Sequence, residues 1–179
     1  MVQIPWLDRK FAFDQPLGVF PSIVERLRGT PVRAKQLVGG CSEDLLSTRD
    51  AGKWSVKEHL GHLIDLQPLD DQRLEQFLKR VDVLSPADIE NRATERADHR
   101  HDAMASILER LAAGRERLVR RLEALTEEEL AIVALHPRLQ KAMRTLDWAY
   151  FVAEHDDHHL AVARAEIRNL ENRRLPSKP

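Results

Sequence analysis

Three histidines and two aspartates fill the five positions from His155 to His159, with aliphatic residues on both sides. His155 and His159 share one helical line with Trp148, Val152 and Val162, at steps of three and four. That spacing puts the Cβ atoms of the two histidines about 5–6 Å apart on one helix face. Two imidazoles placed in this way can reach one divalent ion, each at about 2.0–2.1 Å.

A third ligand has to come from another helix, because no single helix offers three on one face at good angles. His62 is the best candidate, since it lies one turn into the second predicted helix and near the line through Leu66 and Leu69. His158 points about 100° away from His159 and is less suited to share the ion. Three neutral nitrogens would leave one coordination position open, as in catalytic rather than structural metal sites.

Spacing alone leaves a metal-free explanation open. Histidines on a bundle face can be neutral and buried, and here hydrogen bonds to Glu154, Asp156 or Asp157 would satisfy them. The segment from His155 to His159 also shares its two histidines with the zincin helix, in which a glutamate is the base. Aspartate is one methylene shorter than glutamate and no third-ligand pattern follows, so the zincin alternative is the weakest.

The composition indicates one folded, mainly helical domain. The chain has 179 residues, of which 42% are hydrophobic, 32% charged and 5% aromatic, with Leu, Ala, Glu and Arg in the majority. Its formal net charge of −1 predicts no nucleic-acid partner. Cys41 is the only cysteine. We find no signal peptide and no apolar run of the ~20 residues that cross a membrane, so a cytoplasmic protein is expected.

Helical periodicity and helix-start signals predict four long helices and no strand. Ser55 and Glu58 form a capping box that starts the second helix, and Pro68 should bend it. Gly29 and Pro31 interrupt the first helix, so one kinked helix or two short ones are expected. The predicted parts of the chain are an N-terminal arm (1–18), a bundle (19–170) and a flexible tail (171–179). Within the bundle we expect helices at 20–38, from 55 to about 83, from about 102 to 125 and from 145 onward, with a polar crossing loop at 84–101. The buried face of the last helix is expected to end near Glu166.

Four stretches together resemble the DinB/YfiT-like superfamily, in its DinB-like four-helix-bundle branch. They are RLRGTPVR, KWSVKEHLGHLIDL, PADIENRATERADH and HPRLQKAMRTLDWAYFVAEHDDHHLA, in that order between residues 26 and 161. The last is the most specific, followed by the W-S-x-x-E-x-x-x-H element. The chain departs from the family at Gln67, Pro68 and Leu69, where relatives often carry an acid and an aromatic residue, which weakens any transfer of substrate preference.

The resemblance implies an all-α four-helix bundle in the order up–down–down–up, often assembled as a homodimer. It also implies a divalent metal ion, commonly nickel or zinc, bound by one histidine on helix two and by an H-x-x-x-H pair on helix four. Those positions are His62, His155 and His159 in this chain, the three that helical spacing also singles out.

Three functions are compatible with such a site. Some members of the family are metal-dependent thiol S-transferases that use bacillithiol, mycothiol or glutathione, so the first expectation is a low-molecular-weight thiol activated to attack a small electrophile. The second is a metal-dependent hydrolase, in which the ion lowers the pKa of water. The third is a non-catalytic, metal-binding dimeric bundle.

Five further side chains are candidates for supporting roles. Asp156 or Asp157 is expected to orient a ligand ring through its second N–H group. His158 or a nearby carboxylate is expected to carry protons, and Glu58 is one such carboxylate, although its capping role is the stronger prediction. Trp148 lies two turns before the first ligand of helix four and is expected to pack at the helix start or to line the cleft.

The remaining histidines are expected in ordinary roles. His59 is slightly favoured as a partly exposed surface residue over a group that supports a ligand. His99 and His101 lie in the crossing loop and are expected to be solvated. His136, which precedes Pro137, is expected to anchor a turn.

Overall fold

The computed structural model describes residues 3–50 and 52–174 of the chain. Helices dominate, and among the described residues no helix is both long enough and apolar enough to cross a membrane. The helices are α1 (Phe20–Val38), α2 (Glu43–Ser47), α3 (Val56–Asp65), α4 (Gln67–Leu78), α5 (Arg92–Ala97), α6 (Met104–Glu123), α7 (Glu127–Leu130) and α8 (Thr145–Arg174), and the strands are β1 (Val133–His136) and β2 (Lys141–Arg144). Single 3₁₀ turns cover Trp6–Asp8, Leu17–Val19 and His99–His101.

Four long helical segments form a bundle: α1, α3 continued by α4, α6, and α8. Helices α1 and α3 each pack against both α6 and α8, so α1 and α3 occupy diagonal corners of the bundle. Two clusters of buried hydrophobic side chains fill the interior, one toward each end. The polar cluster singled out by the sequence lies between them, on α3 and α8.

Ion pairs between α4 and α6 show that these two helices run in the same direction. Arg117 of α6 pairs with Asp71 of α4. Arg121, one turn further along α6, pairs with Glu75, one turn further along α4. Because two parallel helices need a connection as long as themselves, the chain crosses the bundle between Leu78 and α6.

The first and last helices also run parallel to each other. Arg26 of α1 pairs with Glu154 of α8, and Arg33 pairs with Asp157, so the partners advance together. Helix α3 runs antiparallel to α8, as the histidine contacts described below show. These relations give the predicted up–down–down–up order.

The second predicted helix begins as expected but is divided in two. Ser55 and Glu58 form the predicted capping box, with the Ser55 N–H donating to a Glu58 carboxylate oxygen at 2.8 Å and the Glu58 N–H donating to Ser55 Oγ at 3.4 Å. The helix is interrupted at Leu66, because Pro68 has no N–H to donate to the preceding turn. Its second half, α4, ends at Leu78 rather than near Val83.

The structure corrects two other element predictions and decides a third, for which one helix or two were expected. The polar crossing loop contains the short helix α5, which was not predicted. The predicted tail is helical at 171–174, where α8 continues, and residues 175–179 lie outside the described part of the chain. Helix α1 is a single helix with Pro31 inside it.

A two-stranded antiparallel hairpin, β1 with β2, stands where a loop was expected. Ala134 and His136 are buried while Val133 is 53% exposed, which is the alternation of a half-buried strand. The pattern covers only four residues per strand, too few to distinguish it from a loop in the sequence. The turn of this hairpin brings Pro137 and Arg138 to the same region as the histidines.

Candidate metal centre

His62 of α3 and His155 and His159 of α8 converge inside the bundle. One ring nitrogen of each lies within 4.8 Å of those of the other two. The Nε2 atoms of His155 and His159 are 3.1 Å apart, close to the roughly 3.3 Å that separates two nitrogens on a tetrahedral zinc ion. The three rings therefore occupy positions from which they could bind one ion.

Burial keeps these three imidazoles in the neutral form. Desolvation lowers the pKa of His62 to about 4, against the opposing charge of Asp65. The pKa values of His155 and His159 lie well below the ordinary value, mainly because of desolvation and then because of neighbouring histidines. At neutral pH each ring therefore has a lone pair available, the form that binds a divalent ion.

The hydroxyl of Thr94, from α5, holds the ring of His62. Thr94 Oγ1 lies 3.0 Å from His62 Nδ1. Burial acts to raise the pKa of the neighbouring Asp65, but the hydrogen bond from His99 at 2.9 Å and the charge of His99 lower it overall. With a metal ion on its Nε2, His62 would carry its proton on Nδ1 and donate it to the Thr94 hydroxyl. A side chain at Gly61 is excluded here, because an added Cβ would lie 2.2 Å from the His99 ring.

His59 contacts His159 on the side of the ring away from His155. The Nδ1 atoms of His59 and His159 are 3.0 Å apart, and His59 Nε2 lies 3.5 Å from Glu166 Oε1. His59 and Glu166 are each 8% exposed, so His59 is not the surface residue that was expected. The buried face of α8 also continues past Glu166 to Ile167.

A cavity of about 370 Å³ adjoins the three histidines. Trp54 forms part of its wall, with its ring centroid 4.9 Å from that of His62. Trp6 of the N-terminal arm forms another part, 4.6 Å from the His155 ring. The rest of the lining includes apolar side chains (Leu7, Leu66, Leu69, Ile89, Phe151 and Val152) and five charged ones (Asp70, Asp88, Arg73, Arg115 and Arg138).

These residues fit a divalent metal ion. Three neutral nitrogens face one another, and the remote nitrogens of His62 and His159 have partners that orient the rings, as is usual for metal-bound histidines. The adjoining cavity would leave one side of the ion accessible to a small molecule. An imidazole set of this kind suits zinc, nickel, cobalt, copper or iron, so the identity of the metal stays a prediction.

Asp156 and Asp157 do not orient a ligand ring as predicted. Asp156 accepts hydrogen bonds from Thr30 and Arg115 at 2.7 to 2.9 Å, and Asp157 accepts from two arginines of α1. The reason is helical geometry: positions one and two after His155 point about 100° and 200° away from it. The hydrogen bonds of the metal-free alternative, from the ligand histidines to these acids, are therefore not formed among the described residues.

The other three supporting candidates are placed differently from one another. His158 lines the cavity, so it stays a candidate for a role there. Glu58 pairs with Arg49 and caps α3, which agrees with its capping role and not with proton transfer in the cavity. Trp148 is fully buried and packs against Phe77, with ring centroids 6.0 Å apart, so it belongs to the core and not to the cleft.

Several residues in or beside the site were missed or misplaced from the sequence. Thr94 was not singled out, although it lies in the crossing-loop stretch that resembles the family. His136 anchors a turn as predicted, because the Leu139 N–H donates to its Nδ1 at 3.2 Å, but it also lines the cavity. His99 is 1% exposed and not solvated, whereas His101 is exposed as expected.

Comparisons with known proteins agree with this architecture. Among solved structures, the fold is similar to that of YfiT from Bacillus subtilis, with a TM-score of 0.77 and 21% identity over 92% of this chain and 93% of that one. YfiT is described as a probable metal-dependent hydrolase with an unusual four-helix bundle topology. No curated protein matched the sequence. The family profile of the DinB superfamily matches residues 26–163, which include all three converging histidines. The chain belongs to the DinB superfamily.

Proposed function

We propose that this protein is a metal-dependent hydrolase of small organic molecules. The observation that supports it most is the convergence of neutral His62, His155 and His159 beside a cavity of about 370 Å³. YfiT, which has the same fold, is itself described as a probable metal-dependent hydrolase. A divalent ion held by the three histidines would supply Lewis-acid chemistry, which activates water as a nucleophile and polarises the bond that is cleaved.

Asp70 is the carboxylate best suited to accept a proton in this cavity. Burial raises the pKa of Asp70 to about 6, although Arg115 opposes the shift. A carboxylate with this pKa is mostly ionised at pH 7, yet it takes up a proton more readily than an ordinary aspartate. His158, the carrier predicted from the sequence, is a weaker base, because burial lowers its pKa to about 4.

Aromatic side chains on two sides of the histidines restrict access of bulk water. Trp54 also lies near His159, with ring centroids 6.3 Å apart, and its indole N–H donates to Glu95 at 2.7 Å. Trp6 packs on Phe151 and His155, with centroids 4.9 and 4.6 Å away. Water exclusion strengthens the electrostatic interactions within such a cavity.

Thiol transfer would use the same three histidines and the same cavity, and would differ in the nucleophile. It therefore remains the alternative proposal and needs a direct test. Cobalt-substituted protein titrated with glutathione and with bacillithiol should develop a thiolate-to-cobalt charge-transfer band if a thiol binds there. A spectrum unchanged by either thiol would remove this alternative.

Elemental analysis of the untagged protein tests the metal itself. We expect about one equivalent of zinc or nickel per chain, lost in His155→Ala. The control is His101→Ala, because the His101 side chain is 76% exposed and lies outside the cavity. A wild-type protein that binds no divalent ion under reconstitution would contradict the proposal.

A panel of small esters and amides then tests hydrolysis. Turnover should disappear after treatment with a chelator and return with zinc or nickel. Should the protein bind its metal fully, turn over no ester or amide of this panel and bind neither thiol, the non-catalytic metal-binding bundle becomes the better proposal. The homodimer implied by the family resemblance is a separate proposal, which sedimentation velocity would test.

A further inference from the structure

The cavity beside the histidines carries an unbalanced positive charge at the end formed by the β1–β2 turn. We infer that Arg138, with His136, forms a subsite for the carboxylate of a small organic acid whose apolar body extends toward the three histidines. This inference rests on the proposed function, because it names the substrate class of that same cavity. Its own support comes from the charges and hydrogen bonds around Arg138.

Arg138 lacks a counterion among the residues that the structure describes. Its Nη2 atom is buried and has no hydrogen-bond partner there, and the guanidinium lies 5.9 Å from the centroid of the Phe151 ring. Burial alone accounts for the lowered pKa of Arg138, with no carboxylate opposing it. A buried cationic donor without a partner is costly to a folded protein, so such a group indicates a ligand that satisfies it.

His136 supplies a second donor beside Arg138. The Leu139 N–H donates to His136 Nδ1, so a neutral ring carries its proton on Nε2. The ring stays neutral because burial lowers the pKa of His136 to about 4, assisted by the charges of Arg73 and Arg138. Both His136 and Arg138 line the cavity, so an uncharged N–H and a cationic N–H are available to one oxyanion.

The charge balance of the cavity selects a monoanion. Arg115 is paired with Asp156 and also contacts Asp70 at 3.3 Å. Arg73 donates to the Ser85 carbonyl through both Nε and Nη2. Burial lowers the pKa of Arg73 against the nearby charge of Asp70. Asp88, the remaining charged residue of the lining, is exposed at the rim. Two buried arginines, Arg73 and Arg115, thus face two buried aspartates, Asp70 and Asp156. The charge of the half-buried Arg138 is left to be matched by one carboxylate.

The rest of the wall suits an apolar body. Trp6, Leu69, Phe151 and Val152 line the cavity. Phe151 lies beside His136, with ring centroids 5.2 Å apart, and Trp6 connects it to His155, with centroids 4.9 and 4.6 Å away. An aryl or alkyl acid would place its carboxylate at Arg138, and its other end would lie near the metal-binding side. The cavity of about 370 Å³ has room for a molecule of that size.

A matched pair of probes tests this subsite: hydrocinnamate, and its neutral alcohol analogue, hydrocinnamyl alcohol. Calorimetric titrations are made with the full chain, both metal-free and zinc-loaded. Wild-type protein should bind the acid at least about tenfold more tightly than the alcohol in both forms, because only the acid places a carboxylate charge against the guanidinium.

Arg138→Gln should weaken binding of the acid by about tenfold or more, and leave binding of the alcohol unchanged. The matched control is Arg164→Gln, since Arg164 is exposed on α8 and lies outside the cavity. Circular dichroism checks the fold of each variant, and Arg138→Lys, which keeps the charge, should recover part of the preference for the acid.

Three results would overturn the subsite. The first is equal binding of acid and alcohol by the wild type, and the second is unchanged binding of the acid by Arg138→Gln. The third is binding of the acid by the zinc-loaded form alone, which would place the carboxylate on the metal. If the wild type binds no metal but the metal-free chain prefers the acid, the proposed hydrolase fails while the subsite stands.

Discussion

His59 Nδ1 lies 3.0 Å from His159 Nδ1, so one imidazole directly supports another that is a candidate metal ligand. With Nε2 of His159 on a metal, its Nδ1 carries the proton and donates to His59. His59 then carries its own proton on Nε2, facing Glu166 at 3.5 Å. Both oxygens of Glu166 are buried and have no hydrogen-bond partner among the described residues, so the His59 ring is the polar group placed to meet them. The arrangement extends the carboxylate–histidine–metal pattern by one ring.

His59→Ala should lower the affinity for zinc by about 10- to 100-fold, because His159 loses the acceptor that fixes its orientation and tautomer. Competition with a chromophoric chelator measures this affinity. His101→Ala, at an exposed histidine, serves as the control and should bind zinc as the wild type does. An unchanged affinity in His59→Ala would show that the contact between the two rings does not support metal binding.

Thr94→Val should also weaken zinc binding, by roughly tenfold, since it removes the acceptor of the His62 Nδ1–H and keeps the shape of the side chain. Thr94→Ser keeps the hydroxyl and should bind zinc nearly as tightly as the wild type. The same chelator competition compares the two variants. If Thr94→Val and Thr94→Ser behave alike, the hydroxyl has no part in holding the ring.

The three converging histidines could be found from the sequence because their signal is local. An i, i+4 pair on an apolar helical line fixes two rings on one face, and the capping box at Ser55 sets the position of His62 within its helix. The four-helix order followed from the family resemblance. Pro68 marked the interruption of the second helix because its effect on the backbone is also local.

The partners of those histidines could not be predicted, because they depend on contacts between distant segments. Thr94 reaches His62 from a crossing segment whose polar sequence predicts only a loop. His59 and Glu166 are polar residues on two different helices, and they come within 3.5 Å of each other only once α3 and α8 pack together. Arg138 enters the cavity on a hairpin of four-residue strands, too short to be recognised by alternation.

Asp156→Asn should destabilise the protein by about 3–5 kcal/mol, because it leaves the buried guanidinium of Arg115 without its main counterion. Asp157→Asn should cost less than about 1 kcal/mol, since its ion pairs with Arg26 and Arg33 are partly exposed. Urea denaturation of the two variants measures the free energies of unfolding. Equal losses would mean that the buried network contributes no more than the surface pairs.

The metal-free protein should become less stable as the pH falls from about 6.5 to about 4. Burial lowers the pKa values of His62, His136 and His158 to about 4, whereas an unfolded histidine titrates near 6.5. Between these values the unfolded chain takes up protons that the folded chain does not. The free energy of unfolding therefore falls with decreasing pH, by up to about 1.4 kcal/mol per pH unit for each histidine. Asp70 offsets the loss from one of them, because its raised pKa makes the folded chain take up a proton in the same range.

His136→Gln isolates one of these groups without touching a candidate metal ligand. Its free energy of unfolding, measured by urea denaturation between pH 6 and 5, should fall less steeply than that of the wild type by the share of one histidine, about 1.4 kcal/mol per pH unit at most. Above pH 7 the two proteins should show parallel pH profiles, because the histidine is then neutral in both the folded and the unfolded chain. Profiles that stay parallel down to pH 5 would mean that His136 takes up its proton as readily in the folded protein as in the unfolded one, against the effect of its burial.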